Sequence, residues 1–175
     1  MKRRILLFVS ILICFILQTT VFAQGSIVSS TPNLLLIMTV SIAFIYGKKT
    51  GLLTGFVCGL FFDIYYGELI GLYALIFMYI GFGAGYFSKV YNDEDLRVPL
   101  IITAAADVIY SFAVYVVGFF VRGRLNFGSY LIHVILPELA ATLIFCIILY
   151  RIVFLISRAI KKQDMKGRRR TWLKG

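Results

Sequence analysis

Asp63, Asp107, His133 and Glu138 are the side chains that stand out as able to move a proton or hold a cation within otherwise apolar surroundings. Their spacing argues against catalysis. His133 and Glu138 are five residues apart, which points them to different faces of a straight helix and away from a shared metal. His133 is the only histidine, and no Ser-His-Asp constellation, glycine-rich phosphate loop or zinc spacing accompanies it. Cys14, Cys58 and Cys146 each sit inside an apolar run and read as small packing residues. No catalytic, cofactor-binding or metal-ligating set is therefore assigned, and the chain reads as a non-enzyme without a cofactor.

What the acidic residues cost is more informative than what they could catalyse. An acid in hydrocarbon is expensive, so each marks a place where something must compensate it. Asp63 is expected to cap a turn or helix start, or to pair with Arg122 or Arg124, and so to order an outer loop. Asp107, the deepest acid, is expected to hydrogen-bond a neighbouring helix, with a proton or cation as the sharper alternative. Glu138 follows Leu136-Pro137, where a proline kink frees backbone groups that nearby polar side chains satisfy.

The surroundings of these residues are those of a membrane protein. Of 175 residues 61% are hydrophobic and 15% charged, with a mean hydropathy of +0.92. Soluble domains carry about 45–50% apolar and about 25% charged residues, and one soluble core of this size cannot hide the excess. A disordered, collagen-like or disulfide-stapled chain is excluded by the same composition. The hydropathy pattern predicts an all-α integral membrane protein with six spans, at 5–23, 32–47, 50–65, 71–87, 99–121 and 130–157. A basic tail, 158–175, follows. The third apolar stretch, Gly51–Phe62, is short for a crossing, so that span either extends through Tyr65 or is broken.

Charge placement orients the bundle. Fifteen of the 18 Lys and Arg lie on one side: the N-terminus, Lys48-Lys49, Lys89, Arg97 and the tail from Arg158. Only Arg122 and Arg124 lie across the membrane, and Arg151 falls in the last turns of the sixth span. The positive-inside rule makes the fifteen-residue face cytoplasmic and places both termini there. The formal charge of +10 therefore reads as topology, with anionic lipid as a partner of the tail and no nucleic acid. The Asp93-Glu94-Asp95 run reads as a solvated cytoplasmic loop.

Small residues recur every four positions at Gly47, Gly51, Gly55 and Gly59, then Asp63, then Gly67 and Gly71. That spacing lines one helix side and permits close approach of another helix. The ladder has two uses: packing within this chain, or docking of a partner's membrane helix. A second cluster at Gly81, Gly83 and Gly85 marks a tightly packed fourth span.

Pro32-Asn33-Leu34-Leu35-Leu36, the run Gly47-Lys48-Lys49-Thr50-Gly51-Leu52-Leu53-Thr54-Gly55-Phe56-Val57-Cys58-Gly59-Leu60-Phe61-Phe62-Asp63, and Gly71-Leu72-Tyr73-Ala74 together resemble the bacterial rod shape-determining MreD family. The resemblance covers most of the chain. It implies a six-helix bundle similar to the substrate-binding subunits of energy-coupling-factor vitamin transporters. It also implies a non-enzymatic scaffold of cell-wall elongation in the bacterial cytoplasmic membrane. The implied partners are the bitopic protein MreC and, indirectly, the actin-like MreB, a RodA-type glycosyltransferase and a class B penicillin-binding protein. The ladder and Asp63 are the expected determinants of folding or of MreC docking. A vitamin-type transporter subunit is the alternative, and a lipid-linked precursor enzyme a more distant one.

Overall fold

The computed structural model describes residues 2–22, 31–66, 71–89, 97–122 and 127–172, and every regular element among them is helical. Helix α1 (Lys2–Leu17) ends in a π turn, Gln18–Phe22. It is followed by α2 (Leu34–Tyr46), α3 (Lys48–Tyr66) and α4 (Leu72–Tyr86), the last closing in a 3-10 turn, Phe87–Lys89. Helix α5 spans Arg97–Arg122. The short α6 (Phe127–Tyr130) runs through a π turn, Leu131–Ile135, directly into α7 (Leu136–Trp172). Two segments, Arg97–Val117 and Leu131–Arg158, are long and apolar enough to cross a bilayer, and three further apolar helices are shorter.

Of the two options for the third span the structure takes the extended one: α3 is continuous over 19 residues, from Lys48 past Tyr65 to Tyr66, and is neither short nor broken. One expectation changes. The last helix does not stop at the start of the basic tail but runs on to Trp172. The irregularity expected at Leu136-Pro137 takes the form of the π turn just before it, since Pro137 has no N–H to offer the preceding turn. Gly67, Glu68 and the Asp93-Glu94-Asp95 run lie outside the described residues.

Helix α2 is the axis of the bundle. Its residues are apolar almost without interruption, and everything from Leu34 to Ile45 is buried. A helix hydrophobic on all sides needs protein or lipid all round it, and α1, α3, α4, α5 and α7 all pack on α2. The outer surface is also apolar: Ile64, Ile101, Leu53, Tyr79 and Ile144 are each at least 64% exposed. Buried among the helices instead are Gln18, Asn33, Asp63, Thr103, Asp107, Ser111 and Thr142. Polar groups inward and large aliphatics outward suit a lipid surround.

The tightest pair is α3 on α4. A Cβ at Gly55 would overlap the Phe77 carbonyl, one at Gly59 the backbone of Tyr73 and Ala74, and one at Gly51 the Gly81 carbonyl. Gly81 returns the contact on Gly51, and a Cβ at Gly85 would lie 2.6 Å from the Lys48 nitrogen. Gly83, on the other side of α4, meets nothing within 4 Å. Gly47 turns the chain between α2 and α3 at φ +86°. Replacing Gly55 with alanine forces two backbones apart at a cost of about 1–3 kcal/mol, so the melting temperature in detergent should fall by roughly 3 °C or more. Gly83→Ala should leave it unchanged or raised, and equal losses in both variants would contradict the packing.

Candidate functional site

Helix α4 starts where α3 ends, and Asp63 joins them. The Tyr73 N–H donates to Asp63 Oδ1 at 2.9 Å and the Ala74 N–H to Oδ2 at 3.0 Å. These are the second and third residues of α4, whose N–H groups have no partner within the helix. The residue at the local cap position, Gly71, sits at φ +98° with no side chain to offer. A carboxylate from the neighbouring helix takes over the capping and lies at the positive end of the α4 dipole. The glycine contacts below bring the backbones close enough for this: Asp63 follows Gly59 by one ladder step, and only 2% of it is exposed.

Helix α2 begins in a second shared cap. Asn33 Oδ1 accepts from the Leu36 N–H at 3.1 Å. Gln18, from the π turn after α1, accepts from the Leu35 N–H at 3.1 Å. The Asn33 N–H donates to the Thr142 hydroxyl of α7 at 3.2 Å. At the other end of α2 the Tyr46 hydroxyl donates to Ser157 at 2.8 Å. Helices α1, α2 and α7 are therefore tied together at a buried helix start.

Above α3 and α4 an aromatic cluster closes the seam. Phe62 packs on Tyr73 with ring centroids 4.9 Å apart, and Tyr110 of α5 meets Phe62 at 5.9 Å and Phe77 at 5.7 Å. Tyr110 belongs to a buried polar face of α5 that also carries Thr103, Asp107 and Ser111. Thr103 donates to the Pro99 carbonyl at 2.7 Å and receives the Cys146 thiol at 3.4 Å. The expected hydrogen bond from Asp107 to a neighbouring helix is not made: both its oxygens are buried without a hydrogen-bond partner in the protein. Glu138, half-buried on α7, lies within Coulombic range of Asp107 and Tyr110.

The glycine face offered to a partner by the sequence is thus filled by α4 of the same chain. Gly51, Gly55, Gly59 and Asp63 are brought together along it, Gly47 and Gly71 mark its corners, and Asp107 and Glu138 lie apart from it, on α5 and near the start of α7. Among the described residues no group of three or more His, Cys, Asp or Glu is placed to hold a metal. Gln18, Thr142 and Ser111 are buried polar residues that the sequence analysis does not single out. Gln18 is a lone amide in an apolar run, and Ser111 stands four residues beyond Asp107; both patterns signal a buried polar face.

Asp63→Ala leaves one buried and one part-buried N–H group without acceptors and should cost about 2 kcal/mol. Asp63→Asn keeps one acceptor oxygen and should lose about half as much. Thermal melts of the purified variants measure the order, and an alanine variant as stable as the parent would show the cap to be dispensable.

Comparison with curated proteins gives no match, and comparison with solved structures gives none. The family described as rod shape-determining protein MreD matches residues 2–160, nearly the whole chain. That match places the chain in the MreD family of bacterial rod shape-determining proteins.

Proposed function

We propose that this chain is a non-enzymatic scaffold of the cell-wall elongation complex. It crosses the bacterial cytoplasmic membrane six times, in a bundle of the energy-coupling-factor substrate-subunit kind, with both termini in the cytoplasm. In this role it holds the membrane helix of an MreC-like bitopic partner and, through it, helps position the RodA-type glycosyltransferase, the class B penicillin-binding protein and the MreB filament. Family membership implies the part in rod shape determination. The fifteen clustered Lys and Arg support the orientation and a contact of the basic tail with anionic lipid.

The observation that carries the partner reading is an open apolar trough of about 800 Å³ between α4 and α5. Its sides are Leu75, Tyr79 and Gly83 on α4 and Ile101, Ala105 and Ile109 on α5. With the glycine seam occupied, the trough is where a foreign helix would find both an apolar wall and a small-residue floor. Gly83 suits that role because no described residue comes within 4 Å of where its Cβ would stand. Helix association in lipid depends on such close approach more than on hydrophobicity.

Gly83→Leu or Ala105→Leu should at least halve the MreC-like protein that co-purifies with the chain, with the melting temperature of the chain alone unchanged. Co-purification at the parent level in both variants would rule the trough out as the docking site.

A further inference from the structure

Among the described residues, the two oxygens of Asp107 are the only buried, unbonded side-chain atoms that belong to an ionisable group. Asp107 is 1% exposed. One turn further along the same face of α5, the Ser111 hydroxyl is 2% exposed and also without a hydrogen-bond partner. Thr103, one turn before, is buried too, but its hydroxyl is used up on the Pro99 carbonyl. On the facing helix Glu138 brings a second carboxyl within Coulombic range.

Among the described residues, no Lys or Arg is hydrogen-bonded to Asp107. The helices packed most closely against α5 are α2, α4 and α7; α3 and α6 also touch it, through the Phe62–Tyr110 and Tyr115–Tyr130 ring contacts, and the bases of α3, Lys48 and Lys49, lie about 20 Å along that helix from Phe62. Neither α2 nor α4 contains a Lys, Arg or His between its ends. Arg151 on α7 lies thirteen residues beyond Glu138, about 20 Å along the helix, and Arg97 and Arg122 on α5 are about 15 Å and 22 Å from Asp107 at 1.5 Å per residue. His133, five residues before Glu138, is exposed. The Asp107 carboxylate and the Ser111 hydroxyl are oxygen groups that no described residue bonds, and Glu138 is a second carboxyl close enough to feel the first. Buried charge of that kind is retained where it is paired or bound to a metal.

We propose that Asp107, with Ser111 and Glu138, forms a binding site inside the bundle for a hard metal cation held by oxygen ligands. All-oxygen sets favour sodium, magnesium or calcium over the softer transition metals. The π turn that leads into α7 places Glu138 beside an interrupted stretch of helix, a feature frequent at binding sites. The site is separate from the α4–α5 trough and does not depend on the partner reading.

The test is a thermal melt of the purified full-length chain in sodium, magnesium or calcium chloride against choline chloride at equal ionic strength. At a saturating concentration one of the metals should raise the melting temperature by roughly 5 °C. A response to sodium alone assigns a monovalent site, and a response to magnesium or calcium a divalent one. Asp107→Asn should abolish the rise and Ser111→Ala should at least halve it. Should D107N not be recovered folded, the response of S111A decides. No rise above choline in the parent overturns the proposal, as does a full rise in S111A or D107N. An Asp107→Asn chain more stable than a cation-insensitive parent would identify proton binding instead, and also overturns it.

Discussion

The contact between the α3 and α4 backbones sets the rest of the bundle. Gly51, Gly55 and Gly59 on one helix, with Gly81 on the other, let carbonyl and Cα groups touch where any side chain would hold them apart. Because the helices are that close, the Asp63 carboxylate reaches the first free N–H groups of α4. Because α4 starts there, Tyr73 and Phe77 stand where Phe62 and Tyr110 can stack on them. Steric close approach, backbone satisfaction and aromatic packing are thus three results of one four-residue spacing.

The same constraint explains why capping is done between helices. Helix α2 begins in the protein interior, with Asn33, Leu34, Leu35 and Leu36 at most 2% exposed. Water cannot satisfy its first N–H groups, and each unpaired group there costs several kcal/mol. Gln18 and Asn33 supply the acceptors, and Thr142 binds the Asn33 N–H. Polar residues that look misplaced in apolar runs are the ones that make short interior helices possible.

How much of this was legible in the sequence depends on whether the signal was local. The helical class, the ladder and the capping option for Asp63 follow from composition and period, which a single helix reports. Asn33 after Pro32 and before an apolar run is likewise a local start signal. What faces the ladder is not local: Gly51, Gly55 and Gly59 would look the same with α4 or with a foreign helix against them. The continuity of α3 was hidden because Lys48, Lys49 and Asp63 lower the hydropathy of its ends, although Asp63 is satisfied by α4 and Lys48 lies over the Tyr86 ring at 4.2 Å. Gln18 joins Thr142 across more than a hundred residues through the start of α2, and no periodicity encodes that.

The two sides of α4 then divide the work. One side is spent on folding: Gly81 and Gly85 are pressed against α3, and Ala74 and Phe77 are buried. The other side carries Leu75, Tyr79, Phe82 and Gly83, all exposed. If the glycines served only to pack the chain, Gly83 would have no reason to differ from alanine, which favours a helix by about 1 kcal/mol over glycine. A glycine at an exposed site beside an apolar trough fits the docking of a foreign helix proposed there. A scaffold that folds on one face of a helix and presents the other can change its partners without disturbing its core.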